Sequence, residues 1–392
     1  MDFSYPAEVE QFRKELRTWL SAHLTDRVKD ADRRRGHDAG AFDILRSWDA
    51  AVADAGWGAV SWPQEFGGRG ATVLEQLVYA EETTRARAPV PLNVIGMNNI
   101  APAIMHYGTD AQKRQLLPRM VRADDIWCQG MSEPEAGSDL ASLRTRAVRD
   151  GDDFVVNGQK IWTSLGHRAD WCQLYVRTDP EAPKHKGISC LIVDMTLPGI
   201  QARPLVTLNG SADFAEVFFN DVRVPADALL GPLDAGWQVA TTTLSHERAG
   251  AARLYAQVEV QLRDLVADLA EHTVDGKPAL EDSGTLRRLG DIAVRVSYLE
   301  LLCKRSISAT LHGGDALGSA SLAKSVWAEL GQDLGALAFD VLGSLGPRGS
   351  RGQTRGRWVD RRLSSRSLTI AGGTTQITKG ITATRVLGLP RR

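Results

Sequence analysis

The sequence predicts an α+β protein in which an N-terminal helical domain, a middle β-domain and a C-terminal four-helix bundle follow one another. Apolar residues recur at helical spacing up to about residue 122, alternate with polar residues between about 126 and 224, and return to helical spacing from about 235. We therefore expect domains over residues 1–125, 126–228 and 229–392. A chain of 392 residues is long enough for two or three domains with substantial cores.

The composition argues against several classes of function. The formal net charge is −1, so no overall charge attracts nucleic acid or an anionic membrane. The first residues form neither a basic nor an apolar stretch, and no uninterrupted run of about 18 apolar residues occurs, so we expect a cytoplasmic protein. Wide spacing of the cysteines argues against a disulfide framework and a zinc site, and we expect no metal; they are Cys128, Cys172, Cys190 and Cys303.

Helical spacing marks the N-terminal domain. Helices are indicated at Phe12–Leu24, Leu74–Val78 and Asn98–Met105. Thr109 is a predicted N-cap for a helix that Pro118 should kink or end. The Gly-rich stretch Trp57–Gly70 contains two tryptophans, and we favour a connector anchored in the core over a binding loop.

The middle domain is predicted to be a small β-barrel or sandwich that ends near Pro225. Turn residues separate five candidate strands, which are Ile126–Met131, Asp153–Val156, Trp171–Arg177, Gly187–Val193 and Phe214–Phe219.

Two segments of this domain suit a planar ligand. Asn157-Gly158 lies between apolar runs and predicts a two-residue hairpin turn, after which Trp162 and Ser164 should face the same side of the sheet. The preceding segment contains Met131-Ser132, and Gly137 there allows main-chain amides to converge on an anion or a carbonyl. Together they predict an apolar wall, edged with hydrogen-bond donors, for a heteroaromatic cofactor.

Long amphipathic helices are predicted for the C-terminal domain, with an exposed connection at His272–Gly284. Their apolar stripes favour an antiparallel bundle. The predicted helices are Gln238–Thr273, Ser283–His312, Ala316–Leu345, Arg357–Thr369 and Thr375–Val386.

Two motifs resemble the flavin cradle of the acyl-CoA dehydrogenase family. They are the Ser-Glu-Pro-Glu-Ala-Gly-Ser-Asp run that starts at Ser132 and the Asn-Gly-Gln-Lys-Ile-Trp run that starts at Asn157. The resemblance implies the fold of that family, bound FAD, and oxidation of an acyl-CoA thioester to the trans-2-enoyl-CoA. It also implies that the electrons pass to an electron-transfer flavoprotein.

The resemblance also assigns FAD contacts position by position. In two cases, Met131 and Trp162, a plain core residue is the alternative. The implied contacts are Met131 and Ser132 at the pyrimidine side of the ring, Gly137 and Ser138 near the phosphate or the thioester, Trp162 and Ser164 at the ring face and N5, and Thr374 and Gln376 at the ribityl–pyrophosphate part.

The catalytic base departs from the commonest family pattern. Many members carry Tyr-Glu-Gly-Thr near the C-terminus, but here Gly372 occupies the Glu position and can offer only its N–H to the thioester oxygen. Glu247 falls on the Glu of the Leu-x-x-Glu-Arg motif of isovaleryl-CoA dehydrogenase-like members. We therefore predict Glu247 as the general base, with a solvated surface glutamate as the alternative. Arg248 would fix the helix or reach the CoA phosphate.

Small residues at Ala371 and Gly372 favour a bulky or branched acyl group. The pairing of His-Glu-Arg with Gly-Gly-Thr resembles actinobacterial dehydrogenases that shorten sterol side chains. This resemblance implies a role in fatty acid or sterol side-chain β-oxidation.

Two family elements that grip the FAD of a neighbouring subunit are missing. The region 272–281 lacks the Arg-x-x-Phe-Gly motif, and Asp340 stands where the Gln of Gln-x-x-Gly-Gly-x-Gly is expected. A second subunit of a resembling α2β2 enzyme could complete the site. Alternatively, the Arg-rich stretch Arg348–Arg362 could bind the phosphates, or could be a solvated helix start that contacts a partner.

Three functions therefore remain open at this stage. A dehydrogenase, as a homotetramer or an α2β2 heterotetramer with a second related subunit, is favoured by Glu247. The others are a non-catalytic structural subunit of a heteromeric enzyme and a flavin oxidase or monooxygenase on the same fold.

Overall fold

The computed structural model describes residues 4–249, 254–314, 316–343 and 356–390. Main-chain contacts divide the chain into two compact units. One unit holds the described residues of Met1–His23, Val73–Ala88 and Arg248–Arg392, and the other holds Leu24–Thr72 and Pro89–Glu247. The order of helical, β and helical regions confirms the predicted fold class. The boundaries at residues 125 and 228 stay predictions.

The described α-helices follow the predicted apolar stripes. They are α1 (Ala7–His23), α2 (Asp26–Arg33), α3 (Ala39–Asp54), α4 (Val73–Ala86), α5 (Ala101–Tyr107), α6 (Asp110–Val121), α7 (Gly236–Ala249), α8 (Leu254–Ala270), α9 (Ser283–Leu311), α10 (Leu317–Leu342), α11 (Arg357–Ser364) and α12 (Thr375–Ile381). None of these helices is both long enough and apolar enough to cross a bilayer.

Helix α6 confirms the predicted N-cap at Thr109 and shows that the helix does not end at Pro118. The Thr109 side chain accepts from the Gln112 main-chain N–H, and the Gln112 side chain bonds back to Thr109. Pro118 does not end the helix, which continues to Val121. Leu117 and Met120 are fully buried beside it, and this packing outweighs the loss of one helical N–H.

Seven strands form the middle sheet, in the order β1-β4-β2-β3-β7-β6, with β5 paired to β4. Its buried side carries Phe154, Val156, Leu174 and Val217. The four cysteines are free and buried. The strands are β1 (Trp127–Gly130), β2 (Arg146–Asp150), β3 (Asp153–Ser164), β4 (Trp171–Arg177), β5 (Ile188–Asp194), β6 (Ile200–Leu205) and β7 (Phe214–Pro225), and a separate pair is β8 (Thr273–Val274) and β9 (Lys277–Pro278).

The predicted hairpin at Asn157-Gly158 is wrong, because β3 runs through both residues without turning. The register of β3 against β7 shifts there, and the Asn157 side chain exchanges two hydrogen bonds of 2.9 Å with Asp221. A glycine is needed at 158 because a Cβ would lie 2.6–2.8 Å from atoms of Thr145. The Asn-Gly pair therefore marks a bulge and a close strand approach.

The two-residue hairpin lies earlier, at Gly151-Asp152, where Asp150 pairs with Asp153 to join β2 and β3. Strand β2 was not predicted because most of its side chains are exposed and it shows no apolar alternation. The exposed strand β6 was missed for the same reason.

In the C-terminal region, α8, α9 and α10 pack around one apolar core together with Trp358 of α11. The predicted helix over Gln238–Thr273 corresponds to α7 and α8, and residues 250–253 between them lie outside the described part. A 3-10 turn over Ser365–Thr369 follows α11. The predicted bounds of α9 and α10 agree with the structure to within three residues.

Candidate functional site

A buried ion pair joins the two motifs. Lys160 on β3 has no exposed surface, and its Nζ donates to Glu133 Oε1 at 2.9 Å and to the Met131 carbonyl at 3.0 Å. Glu133 also accepts from the main-chain N–H groups of Arg144 at 2.6 Å and Thr145 at 2.8 Å. Burial alone would raise the pKa of Glu133, but the charge of Lys160 and these donors hold that pKa below its usual value.

This pair was not predicted as part of the site, although the sequence contains an indication of it. Val156 and Lys160 are four residues apart on the buried side of one strand, so the lysine needs a buried partner. The Glu of the first motif is that partner. It fixes the turn that carries Met131 and Ser132 against β3.

Trp162 lies on a second irregularity of β3. The strand register shifts between Lys160 and Thr163, and Trp162 has a φ of 59°. Its indole is 58% exposed, and its ring lies edge-on to Phe214 at 6.0 Å. The Ile161 N–H donates to the Ser132 carbonyl at 3.0 Å. The bulge therefore presents a large flat ring beside the first motif.

Ser164 lines a cavity of about 210 Å³ at the end of β3. Apolar side chains form most of its wall, including Phe42 and Phe214, and the guanidinium of Arg168 lies 4.6 Å from the Phe42 ring centroid. No sequence pattern indicates this cavity, because its walls come from distant segments of the chain.

The first motif continues as a tight turn. Glu133 and Ala136 exchange two main-chain hydrogen bonds of 3.0 Å, which places Gly137 and Ser138 at the surface. A Cβ added at Gly137 would meet nothing within 4 Å. Space for a ligand is therefore open at this turn.

The second group of predicted residues lies in the other unit. Gly372 and Gly373 have φ values of 66° and 96°, and Gly372 is exposed. Thr374 caps α12 by accepting from the Ile377 N–H at 3.2 Å, and Gln376 is exposed on the first turn of α12. These residues form one short loop and helix start, as their spacing predicts.

The side chains of Glu247 and Arg248 lie outside the described part of the structure, so their predicted roles stay predictions. The main chain of α7 is described through both positions. The helix is held one turn earlier by Thr243, whose hydroxyl lies 3.3 Å from the Tyr175 hydroxyl.

The described arginines of the Arg-rich stretch are engaged within the chain. Arg357 pairs with Asp268 at 2.5 Å, and Arg361 pairs with Asp264 at 3.1 Å. Arg362 donates to a main-chain carbonyl of α10 at 3.2 Å. These contacts are structural and argue against a phosphate site at the described arginines; Arg348, Arg351 and Arg355 lie outside the described residues.

The residues around Trp162 fit a flat cofactor with polar edges. Its indole is exposed, and the hydroxyls of Ser132, Ser138 and Ser164 make no hydrogen bond within the described part of the protein. Open space at Gly137 adds room for a ligand at the same motif. The indole would offer a flat apolar surface to an isoalloxazine ring, and the hydroxyls would form hydrogen bonds with the polar atoms at its edge.

Family models cover nearly the whole chain. The acyl-CoA dehydrogenase N-terminal domain model matches residues 6–124, the middle domain model matches 128–222, and the C-terminal domain model matches 234–387. The chain belongs to the acyl-CoA dehydrogenase family. This confirms the resemblance drawn from the two motifs, and members of this family generally bind FAD.

Individual acyl-CoA dehydrogenases match over full length. Acyl-CoA dehydrogenase IpdE1 of Mycobacterium tuberculosis (strain ATCC 25618 / H37Rv) is 39% identical over 391 residues, with 98% of each chain covered. A structure described as Tcur3481-Tcur3483 steroid ACAD has a TM-score of 0.88 at 34% identity, with 100% of both chains covered. The ChsE4-ChsE5 complex from Mycobacterium tuberculosis has a TM-score of 0.86 at 36% identity, again with 100% of both chains covered. These relatives identify an enzyme of the acyl-CoA dehydrogenase type.

Proposed function

We propose that the protein is a FAD-dependent dehydrogenase that converts an acyl-CoA thioester to the trans-2-enoyl-CoA and passes the electrons to an electron-transfer flavoprotein. The exposed indole of Trp162 carries this proposal, since it belongs to the second motif, which pairs with the first through Lys160 and Glu133 and through the Ile161 N–H and the Ser132 carbonyl. The family membership supports the same reaction class.

The residues proposed to hold FAD are Met131, Ser132, Gly137, Ser138, Trp162, Ser164, Thr374 and Gln376. When bound, it supplies a hydride acceptor for the β-hydrogen. The chain itself must remove the weakly acidic α-proton and stabilise the negative charge that develops on the thioester oxygen.

Glu247 is the proposed base, and the Gly372 N–H is the proposed donor to the thioester oxygen. A carboxylate acts best when water is excluded, because burial raises its pKa toward the operating pH. The positive φ of Gly372 turns the main chain at this position without a side chain that would obstruct the acyl group. Arg248, next in the chain, would bind the CoA phosphate or fix α7.

Replacing Glu247 by Gln tests the base directly. Purified protein is mixed anaerobically with a panel of acyl-CoAs, and the bleaching of the flavin absorbance is followed. The Glu247→Gln variant should lose on the order of 10³-fold or more in the bleaching rate while it retains flavin. Glu271→Gln, at an exposed glutamate, is the matched control and should bleach normally. Near-normal bleaching by Glu247→Gln would exclude this residue as the base.

The assembly is proposed to be an α2β2 heterotetramer with a second acyl-CoA dehydrogenase-like subunit, with a homotetramer as the alternative. Asp340 pairs with Arg288 at 2.9 Å, so a carboxylate stands where the family places a donor to the neighbouring FAD. Two solved relatives are described as paired proteins, Tcur3481-Tcur3483 and ChsE4-ChsE5. Expressed alone, the chain should be poor in flavin, and co-expression with its partner should restore about one FAD per pair. A homotetramer saturated with FAD would contradict this.

The acyl group is proposed to be bulky, as in a steroid side chain. Ala371 and Gly372 are exposed and small, and one relative is described as a steroid ACAD. In competition assays, a steroid acyl-CoA should be consumed at higher kcat/KM than a straight-chain acyl-CoA. Preference for the straight chain would refute the assignment.

Admitting air after bleaching separates a dehydrogenase, whose reduced flavin reoxidises slowly, from an oxidase, which yields peroxide.

A further inference from the structure

A lysine on α10 holds both ends of the loop that contains Gly372. Lys324 Nζ donates to the main-chain carbonyl of Leu368 at 3.0 Å and to that of Gly373 at 2.6 Å. The side chain is half-buried and lies in the same compact unit as the loop. One cationic group therefore links the start and the end of the stretch Thr369–Gly372.

The Ile370 and Ala371 N–H groups both donate to the Ser367 carbonyl at 2.9 Å, whereas the N–H groups of Gly372 and Gly373 have no main-chain partner among the described residues. Two successive glycines with positive φ have more accessible main-chain conformations than any other residue pair. Ile370 is 65% exposed and Ala371 is also exposed, so the loop gains little from apolar burial. The Lys324 bonds to the Leu368 and Gly373 carbonyls are therefore the contacts that restrain the glycine pair.

Other residues of α10 bind the segments on either side of the loop. Gln332 Nε2 donates to Thr369 Oγ1 at 3.2 Å, and Ser325 Oγ lies 2.9 Å from Thr378 Oγ1. Gly331 leaves room for Leu368, since a Cβ there would lie 2.6 Å from its Cδ1. Helix α10 thus serves as a rigid support, and Lys324 extends that support to the glycine pair.

We propose that Lys324 is a positioning residue that orients the Gly372 N–H toward the thioester oxygen of the substrate. The inference rests on the proposed function, which assigns that N–H to the oxygen where negative charge develops. Such donors accelerate a reaction because they are held in place before the charge forms. Lys324 acts through the main chain and does not touch the substrate.

Lys324→Met removes both hydrogen bonds and keeps a side chain of similar length. The first measurement is amide hydrogen exchange of peptides that cover residues 365–374, made on the flavin-loaded protein with its partner subunit where one is needed. These amides should exchange at least tenfold faster in the variant, while those of α8 and α9 stay unchanged. Lys304→Met on α9, where Lys304 pairs with Glu300, is the control and should leave the loop unchanged.

The second measurement reports the donor itself. Acetoacetyl-CoA has an acidic α-carbon, and its enolate absorbs in the near ultraviolet, so the apparent pKa of the bound ligand reports how well the site stabilises an oxyanion. Lys324→Met should raise that apparent pKa by about one unit or more. It should also lower kcat by roughly 10–100-fold, with KM within a few-fold, because a misplaced donor affects the transition state more than binding.

The outcomes separate the two proposals. A wild-type protein that neither bleaches with any acyl-CoA nor promotes enolisation overturns the proposed function and the role of the loop with it. An active wild type whose Lys324→Met variant shows unchanged loop exchange, unchanged enolate pKa and unchanged kcat overturns the positioning role alone. If Lys324→Met does not fold, Lys324→Gln, which keeps one amide donor, replaces it and should show smaller changes in the same directions.

Discussion

The ion pair between Lys160 and Glu133 should be one of the most sensitive points of the middle domain. Lys160→Met keeps the shape of the buried side chain but leaves the Glu133 carboxylate with main-chain donors alone. Removing one partner of a buried pair typically costs about 3–5 kcal/mol, because the other charge is left uncompensated. We therefore expect a loss of this size in the free energy of unfolding.

Three variants measured by urea unfolding test this reasoning. The double variant Lys160→Met/Glu133→Gln removes both charges and should recover most of the loss, to within about 2 kcal/mol of the wild type. Lys184→Met breaks an exposed pair with Asp139 at the same 2.9 Å distance and should cost less than about 1 kcal/mol. A loss below about 1 kcal/mol for Lys160→Met, or no recovery in the double variant, would refute the argument.

Three further predictions concern single residues. Burial raises the pKa of Asp49, whose carboxylate accepts from the Leu92 N–H, to about 7. Because this pKa exceeds that of the unfolded chain, the free energy of unfolding should fall as the pH rises from about 4 to 7. In urea titrations at pH 8, Asp49→Asn should therefore be more stable than the wild type by a few kcal/mol. Gly158→Ala should lower the thermal unfolding midpoint, at a cost of about 1–3 kcal/mol, because its Cβ meets the Thr145 main chain. Trp162→Ala should change the stability of the flavin-free chain by less than about 1 kcal/mol, since the indole is 58% exposed, yet flavin content after gel filtration should drop.

The sequence predicts the long helices of this protein well. Apolar stripes of the kind found in α9 and α10 extend over seven turns, so each helix is supported by many independent positions. Strand β2 has the opposite character, because one face is solvated and the other has few residues to show alternation. Strand β2 can be recognised only from its pairing with β3 in the structure.

The misplaced hairpin shows where local patterns fail. Asn157-Gly158 satisfies the turn pattern, but so does Asp150-Gly151-Asp152, and sequence alone does not show which one lies between paired strands. The close approach of Thr145 requires the glycine at 158 for a different reason. A dipeptide preference reports accessible φ values, whereas the tertiary contact decides how they are used.

The candidate site is predicted from family motifs more than from physical reasoning about single residues. The resemblance of the motifs predicts Trp162 and the serines as cofactor residues, and this stays a prediction; the positive φ of Trp162 and the bulge that exposes its ring follow from strand pairing. Lys160 is hard to recognise from the sequence as a buried residue, because a lysine in a strand is usually exposed. Glu247 and Gly372 belong to different units, so their cooperation rests on the family resemblance and on the bleaching experiment.

The charged residues of the C-terminal region bear on how FAD is retained. Asp264 pairs with Arg87, Arg357 and Arg361, and Arg357 also pairs with Asp268, so two carboxylates engage these three guanidinium groups within the chain. Drawing one of them to a phosphate would break an ion pair with a carboxylate that is only 5% exposed. Among the described residues, these arginines are therefore not free for the pyrophosphate of FAD, and the proposed second subunit is one source of the cations that would also account for the carboxylate at Asp340. Under the proposed heterotetramer, flavin content should therefore depend on the partner subunit.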